Sequence, residues 1–555
     1  MTGPAARPLL GSDLRLRLFA WTFGFGTIFH ELEFALEQGR MGPLSTYMET
    51  MARIKPTIGW SSDVGLALHA ACAALGLLLM VVACTPRGAR WCRPALCLLA
   101  PVFLLSQLAC PDRITSHAGL MAGGLAVVLL LGIAELADRW LARIRRRGSS
   151  AAPSADWQGW TRVGLAAVCA LTYLFAFYYK LNPDWFSSSS AAPRFLLVPI
   201  EPMLEDLGDP SLLRAGLAAA AIYCTLVVEL LLPLLLVVRR TRLLGCFVGL
   251  LFHLPMIVHG VSDFPVLILA FYPAFFGPGE ARELLGRLRA SVPPGRVLAT
   301  AILAAAGAHT LQRSPKLVSL YRNAVGLDPL IPTLNTALTV IALVLAVHLT
   351  LTLGGWLLER LRGSAPPAGE WAGDADPPRA GRRATPGSAV AAALAALVCA
   401  GFVYLNLAGF FGYPSAGAMT MYSGLKADRR NHFLAPPTRG PNPYSYLRVA
   451  RFEAVGDAPE LRGFRAFLER LTRDGRPPAL QLNLLRYHVD RICRAAPGGS
   501  VGLTLTGPDG WRLEADDACA VPSLRRYSIL PIGDRCSPGC GRHLRDWARG
   551  KLAAD

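Results

Sequence analysis

The sequence is poor in charge and poorer still in lysine. Charged residues fill 17% of its 555 positions, where a soluble globular protein carries about 25%. Of 56 basic residues only five are lysine and 51 are arginine. There is no Walker motif, no Gly-rich dinucleotide loop, no His-Glu-x-x-His and no Gly-x-Ser-x-Gly. The common signatures of nucleotide-binding, zinc-protease and serine-hydrolase chemistry are therefore missing. An apolar content of 53% excludes a disordered or collagen-like chain. The net charge of +18 would suit a nucleic-acid binder. On so apolar a chain it points first to a membrane, and no nucleic-acid partner is expected.

What is present is a series of long apolar runs. A bilayer span needs about 20 mostly apolar residues, and roughly ten or eleven segments approach that length. They lie near 16–36, 64–84, 94–110, 117–137, 163–180, 213–238, 243–261, 263–277, 297–312, 332–357 and 388–410. The runs 94–110, 263–277 and 297–312 are short, and are expected either to be re-entrant or to pack inside the bundle. The first run follows Arg15 and Arg17, lacks a small-residue cleavage site and reads as a signal anchor. Basic residues set the orientation. With the N-terminus in the cytoplasm, the inner loops hold 24 Lys and Arg and the outer loops hold 8. Eleven spans would put the C-terminus outside. The expected fold is an all-α polytopic bundle of about 9–11 transmembrane helices over residues 1–410, placed in the cell (inner) membrane. Residues 363–387, rich in Gly, Pro, Ala and Arg, read as a loose cytoplasmic loop.

The apolar pattern ends near Phe411, and residues 411–555 read as a small extracytoplasmic α+β domain. Leu461, Phe464, Phe467, Leu468 and Leu471 have helical spacing, and 479–494 is a second candidate helix. Val501–Leu505 and Trp511–Glu514 alternate around Gly507-Pro508-Asp509-Gly510, a hairpin signal. The domain holds Cys493, Cys519, Cys536 and Cys540. An even number on the outer side implies disulfides. Cys536-x-x-x-Cys540 lacks redox spacing, so a bridge there or pairing with Cys493 and Cys519 is expected in place of redox catalysis. The other nine Cys lie in or beside spans and read as buried small hydrophobes.

Few residues look chemical. Lys180 ends the run 163–180, in Phe177-Tyr178-Tyr179-Lys180-Leu181-Asn182-Pro183-Asp184-Trp185. One reading is a snorkelling cation among interfacial aromatics. The other is a base. A desolvated lysine can give up its proton and an arginine cannot, and this chain uses lysine here despite its strong preference for arginine. His117 stands at the outer mouth of the fourth run and His253 inside the seventh, both placed where an ionisable residue raises a functional expectation. Glu229 sits in mid-run and needs a partner, or it stays protonated. His30, Glu31 and Glu33 read as the solvated end of the first helix. No metal-ligand spacing is visible, and no metal is expected.

Four segments in order carry a resemblance: Ser116-His117 before an apolar Gly-rich run; Tyr179-Lys180-Leu181-x-x-Asp184-Trp185; Phe252-His253 with an apolar hairpin ending Ala274-Phe275-Phe276-Gly277-Pro278; and Met419-Thr420-Met421-Tyr422-Ser423. They resemble the vitamin K-dependent gamma-carboxylase family and its bacterial branch, the HTTM (horizontally transferred transmembrane) domain. The similarity spans about residues 10–435. The resemblance implies an enzyme of the lyase class acting on a reduced vitamin K or menaquinone-type naphthoquinone. Lys180 would deprotonate it; oxygen addition and epoxide formation would then create a strong base, which takes a γ-proton from a peptidyl Glu so that CO2 can add. His117 would sit at the same catalytic site. Ser116, Tyr179, Trp185, His253, Met256, Met419 and Met421 would surround the cofactor, with Asp184 and Glu229 in support. Ser116 and Met256 stand where the family has Asn, so the quinone-base half of the reaction is better supported than carboxylation. The alternatives are a quinone-dependent oxidoreductase without carboxylation and a non-catalytic quinone or lipid binder or transporter. Membrane lipid, quinone and a Glu-containing protein or peptide are the expected partners.

Overall fold

The computed structural model describes residues 14–40, 62–85, 88–109, 116–145, 156–182, 185–186, 210–258, 262–290, 330–362, 386–407, 446–454, 479–495, 500–506 and 512–521, with short pieces between. The first part is helical: α1 Leu14–Arg40, α2 Ser62–Cys84, α3 Cys92–Ala109, α4 Ser116–Arg145, α5 Trp157–Tyr179, α6 Ser211–Val237, α7 Arg242–Val258, α8 Asp263–Ala270, α9 Pro278–Arg289, α10 Leu330–Leu361 and α11 Pro386–Leu407.

Six of these helices, α2, α4, α5, α6, α10 and α11, are long and apolar enough to cross a membrane. That is fewer than the ten or eleven runs read from the sequence, for a physical reason in each case. Helix α1 is long but carries Arg15, Arg17, His30, Glu31 and Glu33. Apolar stretches in α3, α7 and α8 are shorter than a bilayer. The run 297–312 lies outside the described residues, as does the loop 363–387. Helix α8 and the 3-10 turn Tyr272–Ala274 after it are buried almost throughout, so the short run 263–277 packs inside the bundle. Leucines and valines exposed along α2, α6 and α10 make an apolar flank of the kind that faces lipid.

Helices α1 and α2 run antiparallel in a register fixed at three levels. Arg17 donates to the Ala83 carbonyl at 3.0 and 2.8 Å. Gly24 and Gly76 meet so closely that a Cβ added to Gly24 would lie 2.4 Å from the Gly76 carbonyl oxygen. His69 and Glu31 pair at 2.6 Å. The steps 17, 24, 31 and 83, 76, 69 are seven residues each, two helical turns. Small residues that let helix backbones touch are the usual device of membrane helix pairs.

One end of the bundle carries the arginines. Arg93 of α3 pairs with Glu135 of α4 and donates to Thr161 of α5 at 3.1 Å, while Arg139 reaches Glu135 at 2.5 Å. Arg242 holds Glu280 at 2.9 Å, and Arg287 bridges Glu283 and Glu359, each at 2.8 Å.

The C-terminal region contains a four-stranded antiparallel sheet, in the order β2-β1-β3-β4, from β1 Tyr446–Ala454, β2 Ala479–Gln481, β3 Val501–Thr506 and β4 Arg512–Ala515. The expected hairpin is β3–β4, with Leu505 opposite Leu513. The second expected helix begins later than read: 479–481 is strand and α12 is Leu482–Ala495. Leu485, Val489 and Ile492 bury one stripe of α12 with Leu461, Phe464 and Leu468, the helical stretch read from spacing; Phe467 and Leu471 lie outside the described residues. Cys493 and Cys519 form a disulfide that ties α12 to the 3-10 turn Ala518–Ala520. Cys536 and Cys540 fall outside the described residues. Among the other cysteines, Cys72, Cys92, Cys169 and Cys246 are buried as expected, but Cys84 and Cys224 are exposed on the helix flanks.

Candidate functional site

Lys180 is the C-cap of α5, and its side chain turns back into the bundle. Its Nζ donates to both carboxylate oxygens of Glu229 at 2.6 and 2.8 Å and to the Ala176 carbonyl at 3.3 Å. Both residues are buried, Lys180 at 5% and Glu229 at 4% exposure, so Lys180 is not a snorkelling anchor. The mid-helix carboxylate that required a partner finds it here. Asn182 builds the turn that follows. It is fully buried, donates to the Tyr179 carbonyl at 2.8 Å and accepts from the Trp185 amide at 3.1 Å. This turn puts the Lys180 ammonium over the Trp185 ring, 5.1 Å from its centroid.

The pair opens onto a cavity of about 300 Å3 between α5, α6 and α7, at the lower end of the range of small-molecule sites, roughly 300–1,000 Å3. Its wall is mostly apolar, from residues such as Ala176, Ala221, Val228, Leu251, Met256 and Phe264. Cys224 and Leu251 also lie exposed on the bundle flank, so the cavity has a lateral side.

His253 forms the opposite polar wall. Tyr173 links its Nε2 to Tyr272, with 2.8 Å on each side of the shared hydroxyl. Gly249 makes room for this chain: a Cβ there would come within 1.9 Å of the Tyr272 oxygen. The His253 Nδ1 and Trp185 Nε1 atoms are buried and have no hydrogen-bond partner among the described residues. Pro255 has no amide hydrogen, so the Leu251 carbonyl loses its normal helical donor. Buried polar atoms of this kind call for a partner. The cavity therefore offers a greasy slot, a protonic pair at one side and two or three spare polar atoms, a set that fits a flat aromatic molecule bearing oxygens.

Of the residues singled out in the sequence, Lys180, Trp185, Glu229, His253 and Met256 line this cavity. Tyr179 does not line it; its hydroxyl bonds to the Asn406 carbonyl of α11. His117 is one ring removed. Its imidazole packs on Phe264, 5.5 Å between centroids, and Phe264 packs on His253 at 5.8 Å. Behind Phe264, His117 contacts Asp263, and His30 joins them: one donor atom from each lies within 4.8 Å of the others. His30 and Glu31 are buried, at 4% and 6% exposure, and so are not a solvated helix end. Ser116 begins α4, and its side chain lies outside the described residues with Glu33, Asp184, Met419 and Met421. Sequence reading missed Asn182, Tyr173 and Tyr272. The signal for Asn182 was its place between Lys180 and Trp185; the tyrosines, 80 and 99 positions from their partners in the chain, left none.

No curated protein and no solved structure matches the chain. The model of the HTTM domain family matches residues 127–279. Those residues hold Lys180, Trp185, Glu229, His253 and the rest of the cavity wall, so it is the cavity-bearing stretch of the chain that is similar to the HTTM domain family.

Proposed function

We propose that this protein is an integral membrane enzyme that binds a reduced naphthoquinone in the Lys180–Glu229 cavity and uses Lys180 to take its hydroxyl proton. The observation that carries this reading is the buried lysine–carboxylate pair on the wall of an apolar, laterally open cavity. Removing charges from water is costly, so such a pair is weak evidence for a role in stability alone. Moving one proton from Nζ to Glu229 turns the ion pair into a neutral amine and a neutral acid. The neutral amine is then the general base, with Glu229 holding the proton it gave up. The cation–π contact with Trp185 and the bond to the Ala176 carbonyl fix the nitrogen in place. His253 and Trp185 supply hydrogen bonds to ligand oxygens, while Phe252, Met256 and Phe264 keep water away. A bound naphthoquinol, oxidised by O2, supplies the strong base that carboxylation of a peptidyl Glu with CO2 demands. Membrane lipid is the second partner, at the lateral side. No part of this reading calls for nucleic acid. The arginine-rich end is assigned to the cytoplasm, and the disulfide-bearing C-terminal domain to the outer side of the cell membrane.

The test uses proteoliposomes with reduced menaquinone or vitamin K, oxygen, labelled bicarbonate and a Glu-rich peptide. Epoxide together with label fixed in the peptide is the expected result. Epoxide without fixed label points to the oxidoreductase reading. No epoxide from any naphthoquinol overturns the enzyme reading and leaves a binder or transporter.

A further inference from the structure

His30, His117 and Asp263 come from three different helices and meet behind Phe264. Their sequence separations conceal the group, since none lies within one helical turn of another. The donor atoms, two imidazole nitrogens and a carboxylate oxygen, lie within 4.8 Å of one another. Metal–ligand bonds of about 2.0–2.2 Å place first-row donors roughly 3–3.5 Å apart. His117 and Asp263 are already in direct contact, so the set lies within reach of side-chain rotation about an ion. His30 and Asp263 are buried, and His117 is 14% exposed at its side chain. Glu31, next to His30 on α1, pairs with His69 of α2 at 2.6 Å. Both stand close enough to act electrostatically on His30. The register of α1 on α2, set by the Gly24–Gly76 contact, is what brings that second pair into place.

We propose that His30, His117 and Asp263 form a binding site for a divalent first-row transition metal, with the Glu31–His69 pair as its outer ring. Two imidazoles and one carboxylate are the donors such ions favour; calcium and magnesium favour oxygen alone. A divalent ion also compensates the carboxylates Glu31 and Asp263 without requiring protonated imidazoles nearby. Three protein ligands leave a coordination position open. The Phe264 ring separates the site from the Lys180 cavity, packing on His117 on one side and on His253 on the other. The inference goes beyond the proposed reaction and does not depend on it.

The experiment uses the full chain without a polyhistidine tag, purified in detergent, stripped with chelator and titrated with Co2+. The folded protein is expected to take up a single tight equivalent and to show the visible d–d bands of cobalt held by nitrogen and oxygen. His30→Gln, His117→Gln and Asp263→Asn are each expected to weaken uptake by at least about tenfold. His348→Gln, on α10 outside the group, and Lys180→Ala should leave it unchanged. The wild-type titration stands even if a variant fails to fold. Absence of d–d bands from folded wild-type protein overturns the proposal and leaves a packed cluster of histidines and carboxylates. So do bands that persist in all three ligand variants. Neither outcome bears on naphthoquinol turnover, so this proposal and the proposed function fail separately.

Discussion

At the scale of single residues, the Lys180–Glu229 pair makes the sharpest energetic claim. A buried charge whose partner is removed is left uncompensated, at a cost of about 3–5 kcal/mol, whereas removing both charges is often neutral. Lys180→Met and Glu229→Gln should therefore each destabilise the protein by roughly that amount. The double variant should recover most of the loss. Unfolding titrations of the four proteins in mixed micelles would show it, and additive losses would mean that the two side chains do not pair with each other. Glu229 announced itself in the sequence as a mid-span acid in need of a partner, and Lys180 as a lysine in an arginine-rich chain. That they answer each other was not legible, because a separation of 49 positions carries no signal of register. The same holds for His30 and Glu31. As sequence they look like a wet helix end, and only the packing of α2, α4 and α8 around them shows that they are buried.

At the scale of elements, two glycines carry predictions. Gly249→Ala would drive a methyl group into the Tyr272 hydroxyl. The loss expected for such overpacking is about 1–3 kcal/mol. Because the clash falls first on the hydroxyl oxygen, Tyr272→Phe in the same chain should return part of it. Thermal unfolding of the single and double variants decides; an equal loss in both would place the clash elsewhere. Gly24→Val meets the Gly76 backbone, which cannot rotate away. It should separate α1 from α2 and lower the unfolding midpoint more than Gly216→Ala, where an added Cβ meets nothing. Equal midpoints for the two would argue against a close helix crossing. Long apolar helices were legible from hydropathy alone. The strand β1 was not, for a reason visible in its pairing: a bulge between Val449 and Arg451 breaks the alternation that marks a strand. Strand β2 has three residues, too few to show a period.

At the scale of the whole molecule, the arginine ends and the disulfide make one joint claim about orientation. Disulfides persist in oxidising compartments, and cytoplasmic loops of membrane proteins carry an excess of Lys and Arg. Cys493 and Cys519 should stay blocked to a membrane-impermeant maleimide until reductant is added to intact cells. Cysteines placed in the loop after α4 should stay silent until the cells are opened. Free Cys493 and Cys519 thiols in cells would reverse the assignment. The bridge closes a loop of 26 residues in sequence separation, so Cys493→Ser should cost the C-terminal domain roughly 3–4 kcal/mol.

The central claim is that Lys180 acts as a base and not as a fixed positive charge. Arginine keeps the charge and cannot supply the neutral amine. The most direct measurement is the initial rate of naphthoquinol oxidation in proteoliposomes containing wild-type protein or Lys180→Arg, with folding checked by size exclusion. The account predicts that the arginine variant loses at least about 100-fold in rate, the scale of general base catalysis. A Lys180→Arg rate close to wild type would contradict it.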